Sequence, residues 1–241
     1  SNESTDEETE ESIVLSASDV DGDALTYSAS SDTSAVAVTV STNTLKLTPA
    51  LNYTGTSVIT VIVSDNALTD TTKFDFTVIN VNDAPVISTL SDVTIKEDET
   101  GSVSLSATDI DGDAITYSAV SDTNAITVSV SSATLTLTPT ANWNGVANIK
   151  AYASDGSAKD STSFKLTVTA VNDAPVISAV PDDSTNEETE KALKLNTTDI
   201  DGDALTYTAS SDTSAVAVTI STDTLKLNPA LNYTGTSVIT V

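Results

Sequence analysis

Three aspartates alternate along one short segment, Asp109, Asp111 and Asp113, with Gly112 before the last of them. Carboxylates this close repel one another unless a cation neutralises them. Calcium is the natural candidate, because it takes about six to eight oxygen ligands and tolerates irregular geometry, whereas magnesium prefers an octahedron with fewer protein ligands. The segment is not an EF-hand, since its glycine is fourth rather than sixth and its twelfth residue is Val120 rather than glutamate. Taken alone, the segment also fits an ordinary polar turn.

A second acidic feature comes from the glutamates, which all fall in three clusters. The clusters are Glu3, Glu7, Glu8, Glu10 and Glu11; Glu97 and Glu99; and Glu187, Glu188 and Glu190. On composition alone, a solvated acidic turn explains each cluster as well as a ligand site does. Their shared place in a repeat, just before a predicted strand, favours a site.

The composition limits the chemistry available to the chain. It has no Arg, His, Cys or Met, and 35 acidic against nine basic residues give a formal charge of −26. Without imidazole or thiolate, zinc, copper, haem and iron–sulfur sites and Ser-His or Cys-His pairs are excluded, so oxygen ligands alone remain. The charge also argues against binding to nucleic acid or to an anionic membrane surface. No apolar run is long enough to predict membrane insertion.

The chain is a tandem array with a period of ninety residues. The segment at Asp109 recurs at Asp19 and Asp199, and residues 15–61 and 195–241 are identical at 39 of 47 positions. A unit of this length is too long for a solenoid repeat and matches an independent β-sandwich. We predict three repeats, at 1–83, 84–173 and 174–241, of which the first lacks its first strand, the second is complete and the third is truncated at its carboxyl end. This phase predicts an excerpt from a longer array.

Within each repeat, apolar residues alternate with Ser, Thr, Asp or Lys, which is typical of half-buried strands. We expect an all-β chain of tandem seven-stranded Greek-key sandwiches of the immunoglobulin type, arranged as a linear rod. In the complete repeat the predicted strands are 86–95, 102–108, 114–120, 125–130, 133–138, 146–153 and 162–171.

Several of these motifs together resemble a cadherin repeat. Ala151 to Gly156 is similar to the turn before the last cadherin strand, and Val171 to Pro175 is similar to the cadherin linker. The aspartate segment and the glutamate before the second strand match two further cadherin elements. As a whole, the chain resembles the cadherin-like tandem repeats of large calcium-dependent bacterial surface adhesins.

The resemblance implies that calcium ions lie at the junctions between repeats. For the first junction it implies the ligands Glu7, Glu8, Asn82, Asp83, Asp109, Asp111, Asp113 and Asp155. For the second it implies Glu97, Asp98, Asn172, Asp173, Asp199, Asp201 and Asp203. The chain departs from the cadherin pattern after the fifth strand, where residues 139–145 contain no acid, so fewer ions per junction are expected.

The function implied is that of a calcium-rigidified extender in a fibrous adhesin, which projects a distal binding domain from the surface of a Gram-negative bacterium. Its partners would be calcium ions, adjacent repeats of the same longer chain and, through homotypic association, further copies. The alternative is a self-associating extracellular matrix, sheath or filament protein. We do not expect an enzyme, because no acid lies in an apolar sequence context that would raise its pKa for catalysis.

Overall fold

The computed structural model describes residues 3–241, and every regular element within that range is a β-strand. Alternation of side chains explains the strands. In the segment Thr44–Pro49, Leu45 and Leu47 are fully buried while Lys46 and Thr48 are exposed, so one face is apolar and the other is polar. No helix of the described range is long and apolar enough to cross a membrane.

The first repeat forms seven strands in two sheets. The strands are β1 (Glu3–Asp6), β2 (Glu11–Val14), β3 (Thr26–Ser31), β4 (Val36–Ser41), β5 (Thr44–Pro49), β6 (Gly55–Ser64) and β7 (Thr69–Ile79). One sheet has the order β1-β7-β6-β3 and the other β2-β5-β4. All pairs are antiparallel except β1 with β7, which run parallel from Glu3 beside Phe76 to Asp6 beside Ile79.

The core of this repeat lies between its two sheets. Leu45 and Leu47 of one sheet pack in one cluster with Ile59 and Phe76 of the other, and all four side chains are fully buried. Burial of each such side chain contributes about 1.5–3 kcal/mol to stability. The repeat is therefore a β-sandwich with its own hydrophobic core.

The middle repeat has the same plan with two added short strands. Its strands are β8 (Val86–Ile87), β9 (Val93–Lys96), β10 (Gly101–Ser104), β11 (Ala107–Thr108), β12 (Thr116–Ser121), β13 (Ile126–Ser131), β14 (Thr134–Pro139), β15 (Gly145–Ser154) and β16 (Lys159–Thr169). They form sheets of order β12-β15-β16-β9, β10-β14-β13 and β11-β8.

The predicted first strand, 86–95, is divided in the structure into β8 and β9, which belong to different sheets. Hydrogen bonds fix the division. Ser88 donates its N–H to the carbonyl of Ser106, whereas the Asp92 carboxylate accepts the N–H of Lys165 on β16. In the first repeat, the sequence includes only the later part of this strand. The counterpart of β9 is present as β1.

The third repeat contains β17 (Val176–Ile177), β18 (Lys191–Lys194), β19 (Thr197–Thr198), β20 (Ser210–Ser211), β21 (Val216–Ser221), β22 (Thr224–Pro229) and β23 (Ile239–Thr240). They form a sheet of order β18-β22-β21 and two two-stranded pairs, β17-β19 and β20-β23. Leu195 and Leu225 are its most buried apolar side chains among those described.

The chain divides into two compact units. The first comprises residues up to Val93 together with Gly101–Leu137 and Ala147–Leu166. The second comprises Thr94–Thr100, Thr138–Val146 and Thr167–Val241. Each acidic site described below lies within one unit.

Candidate metal centre

The first acidic site is built on Glu7, directly after β1. The backbone N–H of Glu7 bonds to the carbonyl of Ile79 at 3.0 Å and so continues the pairing of β1 with β7. The Glu7 side chain is only 6% exposed, and its Oε1 accepts the N–H of Val81 at 2.7 Å. Its Oε2 is buried and has no hydrogen-bond partner among the described residues. A buried carboxylate oxygen without a hydrogen bond lowers the stability of the fold unless a cation or a water molecule contacts it.

Two further carboxylates lie close to that of Glu7. Glu7, Glu8 and Asp83 each offer one oxygen, and these atoms lie within 4.8 Å of one another. Glu8 adopts a left-handed backbone conformation, with φ 61°, in the turn that follows β1. A cavity of about 230 Å³ lies among residues 6–9 and 81–83. The linker after the first repeat is thus folded back onto the turn after β1.

The aspartate segment forms a closed loop with its own side-chain bonds. Asp109 Oδ1 accepts the backbone N–H of Asp111 at 3.0 Å and that of Asp113 at 3.2 Å. Gly112 permits the loop, because its φ of 80° is strained for other residues. Asp109 Oδ2 is buried without a described partner, and all three carboxylates have oxygens within 4.8 Å of one another.

Hydrogen bonds connect the loop to the linker. Asp83 donates its N–H to Asp111 Oδ2 at 2.8 Å, and the Asn82 amide donates to Asp155 Oδ2 at 2.9 Å. The pKa of Asp155 is lowered, first by the N–H of Ala158 and then by the Asn82 amide. The eight residues predicted for the first junction therefore form one connected set, which we call the first cluster.

The second cluster repeats this arrangement around Glu97. Glu97 is 3% exposed, donates its N–H to the carbonyl of Thr169 and accepts the N–H of Val171 on Oε1 at 2.6 Å. Glu97, Asp173 and Asp201 have oxygens within 4.8 Å of one another. Asp173 donates its N–H to Asp201 Oδ2 at 2.6 Å, and its own Oδ2 is buried without a described partner.

Within the second cluster, the surrounding carboxylates act on Asp173 through their charge. Burial raises the pKa of Asp173, and the carboxylate of Asp201, followed by those of Asp98, Glu97 and Asp199, raises it further. A cation bound among these oxygens would reverse that effect, since an opposite charge favours the ionised carboxylate.

Four residues predicted for the second junction do not belong to its central trio, which is Glu97, Asp173 and Asp201. Asp98 Oδ1 accepts the N–H of Asn142, Asn172 donates its amide to the carbonyl of Asp173, and Asp199 accepts the N–H of Asp203. The sequence did not predict Asn144, whose amide lies 3.5 Å from Glu97 Oε2. No spacing rule indicates it, because Asn144 lies 47 positions further along the chain.

The donor sets of both clusters fit a hard divalent cation. Every side-chain donor is an oxygen of Asp, Glu or Asn, and three buried carboxylate oxygens lack a hydrogen bond: Glu7 Oε2, Asp109 Oδ2 and Asp173 Oδ2. Oxygen-only donors of this kind suit calcium better than zinc, copper or iron.

The counterparts of the loop and of the buried glutamate in other repeats can be compared with the two clusters. The loop of the first repeat has the same internal bonds, from Asp19 Oδ1 to the N–H groups of Asp21 and Asp23. By contrast Glu187, the third counterpart of Glu7 and Glu97, is exposed. The internal bonds of the loop therefore form in the first repeat as in the second, and each of the two buried glutamates accepts a linker N–H.

The architecture defines a class of protein, a tandem array of immunoglobulin-like β-sandwich repeats with acidic sites at their ends. The sequence matches the family described as "Bacterial Ig domain" at three places, residues 1–77, 82–169 and 172–241. The chain belongs to this family.

Individual proteins share parts of the chain. Chitinase A of Pseudoalteromonas piscicida is 38% identical over 114 residues, which is 42% of this chain and 13% of the chitinase. Among solved structures, Drosophila N-cadherin EC1-4 matches with a TM-score of 0.47 and 18% identity, covering 97% of this chain and 65% of that one. The endo-fucoidan hydrolase MfFcnA4, from glycoside hydrolase family 107, matches with a TM-score of 0.32 and 21% identity, covering 92% of this chain and 37% of that one.

Proposed function

We propose that this chain is a calcium-rigidified extender segment of a bacterial cell-surface fibrous adhesin. The observation that carries the proposal is the buried Glu7 carboxylate: its Oε2 has no hydrogen-bond partner among the described residues, and one of its oxygens lies within 4.8 Å of oxygens of Glu8 and Asp83. Glu7 belongs to the first repeat and the loop at Asp109 to the second, and the linker at Asp83 bonds to that loop. A cation held by this set would tie two consecutive repeats together.

Calcium is the ion that we propose for both clusters. In the first, Glu7, Glu8, Asp83 and the loop aspartates would hold it; in the second, Glu97, Asp173 and Asp201 would do so. Calcium when bound would supply positive charge and no reaction chemistry. The chain's own residues orient the ligands: Asp109 closes its loop, and the N–H groups of Val81 and Val171 aim the two glutamates.

The proposed role is mechanical. Without calcium, the crowded carboxylates repel one another and the linker is held only by its hydrogen bonds. With calcium, the same carboxylates attract a common ion, and this attraction would restrict bending of the linker between repeats. Sandwiches joined in this way would form a rod that advances by roughly 40 Å per repeat, given a strand rise of about 3.3 Å per residue.

We propose an extracellular, cell-surface location and a non-catalytic role. Bacterial Ig domains are typically extracellular, and their sandwiches typically serve as structural modules. The stretch shared with chitinase A is a short part of that enzyme, so we do not carry its activity to this chain. A spacer beside a catalytic domain would use the same mechanics as a spacer in an adhesin.

Small-angle X-ray scattering with calcium and with chelator tests the proposal. We expect the maximum dimension to be larger and better defined in calcium than in chelator. A Glu7→Gln, Glu97→Gln double variant is the matched control and should give the chelator curve under both conditions. An unchanged maximum dimension in the parent chain would contradict the proposal. A concentration series distinguishes the extender from the alternative, a self-associating matrix, sheath or filament protein, because the latter would assemble as its concentration rises.

A further inference from the structure

The outer face of one sheet in the middle repeat carries lysines instead of acids. On β15, buried residues alternate with Lys150 and Tyr152, and on β16 they alternate with Lys159 and Lys165. Ser118 of β12 lies beside Tyr152. We call these five residues the lysine face. None of the outward-facing residues that the described strands β12, β15 and β16 contribute to this side of the sheet is acidic.

Tyr152 holds two of the ammonium groups in place. The Nζ atom of Lys150 lies over its ring, 5.3 Å from the ring centroid, and that of Lys159 lies over the ring at 5.2 Å. The negative face of an aromatic ring attracts a cation, so the ring restricts two long side chains that would otherwise rotate freely. The lysine face is therefore arranged before any ligand binds, which lowers the entropic cost of binding.

The lysines of this face have no carboxylate partner. Lys150, Lys159 and Lys165 form no ion pair with any residue that the structure describes, although the chain has 35 acidic residues. By contrast, Lys46 pairs with Glu10 at 2.7 Å. The lysine face is thus a site of uncompensated positive charge in a chain of formal charge −26, and the ligand that it would attract is an anion.

The first repeat has the same sandwich without this face. Ninety positions before the lysines and the tyrosine, its residues are Thr60, Ile62, Thr69 and Asp75. They lie in β6 and β7, which pair with each other without a break. The sandwich therefore forms without lysines or tyrosine at these positions, and folding does not account for their presence in the middle repeat.

The spacing of the charges indicates an extended ligand. Lys159 and Lys165 are six residues apart on one strand, which is about 20 Å at a rise of about 3.3 Å per residue. One small anion cannot contact both, whereas a polymer lying across the strands can. The neutral groups of this side of the sheet include the hydroxyls of Ser118, Ser161 and Ser163, which can donate hydrogen bonds to sugar hydroxyls and accept hydrogen bonds from them.

We propose that the lysine face binds a sulfated polysaccharide. The ammonium groups donate hydrogen bonds to sulfate-ester oxygens, while the serine hydroxyls and the Tyr152 ring contact the sugar. Lysine offers a point charge with three donors rather than the planar fork that arginine presents to a carboxylate, and a sulfate group with several equivalent oxygens suits such a donor. The proposal goes beyond the extender function and needs no calcium.

Two other polyanions fit the lysine face less well. Duplex DNA carries one charge per about 1.7 Å of its axis, so a chain of charge −26 repels it more strongly than a sugar polymer whose charges are more widely spaced. An acidic peptide binds to a sheet through the free backbone groups of an edge strand. Both β15 and β16 are interior strands, in the order β12-β15-β16-β9, so they offer no such edge.

Titration calorimetry with dextran sulfate in chelator tests the proposal. The matched polymers are uncharged dextran and carboxymethyl-dextran, which have the same sugar backbone, the latter with the same number of charges. We expect the full chain to bind dextran sulfate, to bind carboxymethyl-dextran about tenfold more weakly and not to bind dextran.

Variants that carry the residues of the first repeat locate the binding. Lys150→Thr combined with Lys159→Thr should weaken binding of dextran sulfate about tenfold, because two ammonium groups are lost. Lys46→Thr combined with Lys73→Thr removes the same charge from the first repeat and should bind as the parent chain does. Tyr152→Ile should also weaken binding, because both lysines lose the ring that restricts them. Thermal unfolding of each variant verifies that its repeats are folded.

Three results would overturn the proposal. Equal losses in the two double variants would show that overall charge governs binding. Binding of carboxymethyl-dextran or polyglutamate as tight as that of dextran sulfate would show that the face does not select sulfate on a sugar. Absence of binding by the parent chain would show that the lysines do not form a site. Because calcium is absent throughout, none of these results bears on the extender function.

Discussion

The most informative single residue is Glu7. We predict that Glu7→Gln weakens calcium binding at the first cluster about tenfold, because calcium affinity follows the number of charged ligands. In chelator the same change should raise the free energy of unfolding, by about 1 kcal/mol, because a buried unpaired charge is removed. The glutamine oxygen can still accept the N–H of Val81, and its amide can donate to Glu8 or Asp83. Calcium titration calorimetry and urea unfolding measure the two effects.

The control for this variant is Glu187→Gln. Glu187 is the counterpart of Glu7 in the third repeat and is exposed, so its substitution removes the same charge without touching a buried site. We expect neither effect from it. Equal losses of calcium affinity in both variants would show that general charge, rather than the first cluster, governs binding.

A second residue-scale prediction concerns acid stability. The Asn148 amide, followed by the Asn148 backbone N–H, lowers the pKa of Asp122. The ionised Asp122 carboxylate therefore contributes its full stabilisation above its ordinary pKa of about 3.8. This stabilisation is lost as the pH falls through the lowered pKa of the folded state. Asp122→Asn should flatten the decline of the urea midpoint between about pH 5 and pH 2. Asp75→Asn, a charge-matched change at an exposed position, should leave the slope unchanged.

Among the elements, β6 and β15 each begin with a glycine, and these two glycines form a matched pair. Gly145 and Gly55 both have positive φ, at 149° and 136°, but a Cβ on Gly145 would lie 2.9 Å from the Trp143 ring. At Gly55 the nearest atom is the Tyr53 hydroxyl, at 3.5 Å. We predict that both alanine variants lose about 1–3 kcal/mol through backbone strain and that Gly145→Ala loses more. Thermal unfolding of both checks the order, and equal losses would mean that the tryptophan ring yields.

At the same scale, alternation predicted most strands within one to three residues. It could not predict that the first strand divides, because Val86 and Val93 both have strand-forming neighbours and only the partners differ. The partners, Ser106 for one half and Lys165 for the other, are set by tertiary structure. The same limit applies to Ile87. The residues around it recur around Ile177, yet Ile87 is buried and Ile177 is exposed.

For the whole molecule, the prediction is selective stabilisation by calcium. At roughly 10 mM ion and an extracellular-type dissociation constant near 10⁻⁴ M, each occupied cluster adds about 2.7 kcal/mol. We expect 10 mM calcium to raise the melting temperature by about 5 °C or more and 10 mM magnesium to raise it less. Differential scanning calorimetry measures the shift. The same increase in the Glu7→Gln, Glu97→Gln variant would indicate screening of the overall charge instead.

The sequence predicted well which carboxylates lie near one another. It predicted less well their burial and their hydrogen bonds. The resemblance to cadherin repeats brought Glu7, Asp83 and Asp111 into one prediction, and the strand order of a sandwich, which determines which turns share an end, supported it. It could not indicate that Glu7 is buried while Glu187 is exposed, since the two lie in similar acidic segments. The carboxylate of Glu7 accepts the N–H of Val81, a backbone group whose position no residue type reveals.

The parallel pairing of β1 with β7 has a consequence for a chain under tension. These are the first and last strands of the first repeat, so a pull on its two ends would slide one past the other and load their hydrogen bonds simultaneously. Shearing a ladder in this way takes more force than opening it one bond at a time. Under load, the first repeat would therefore resist through the four residue pairs of this ladder acting together rather than one after another.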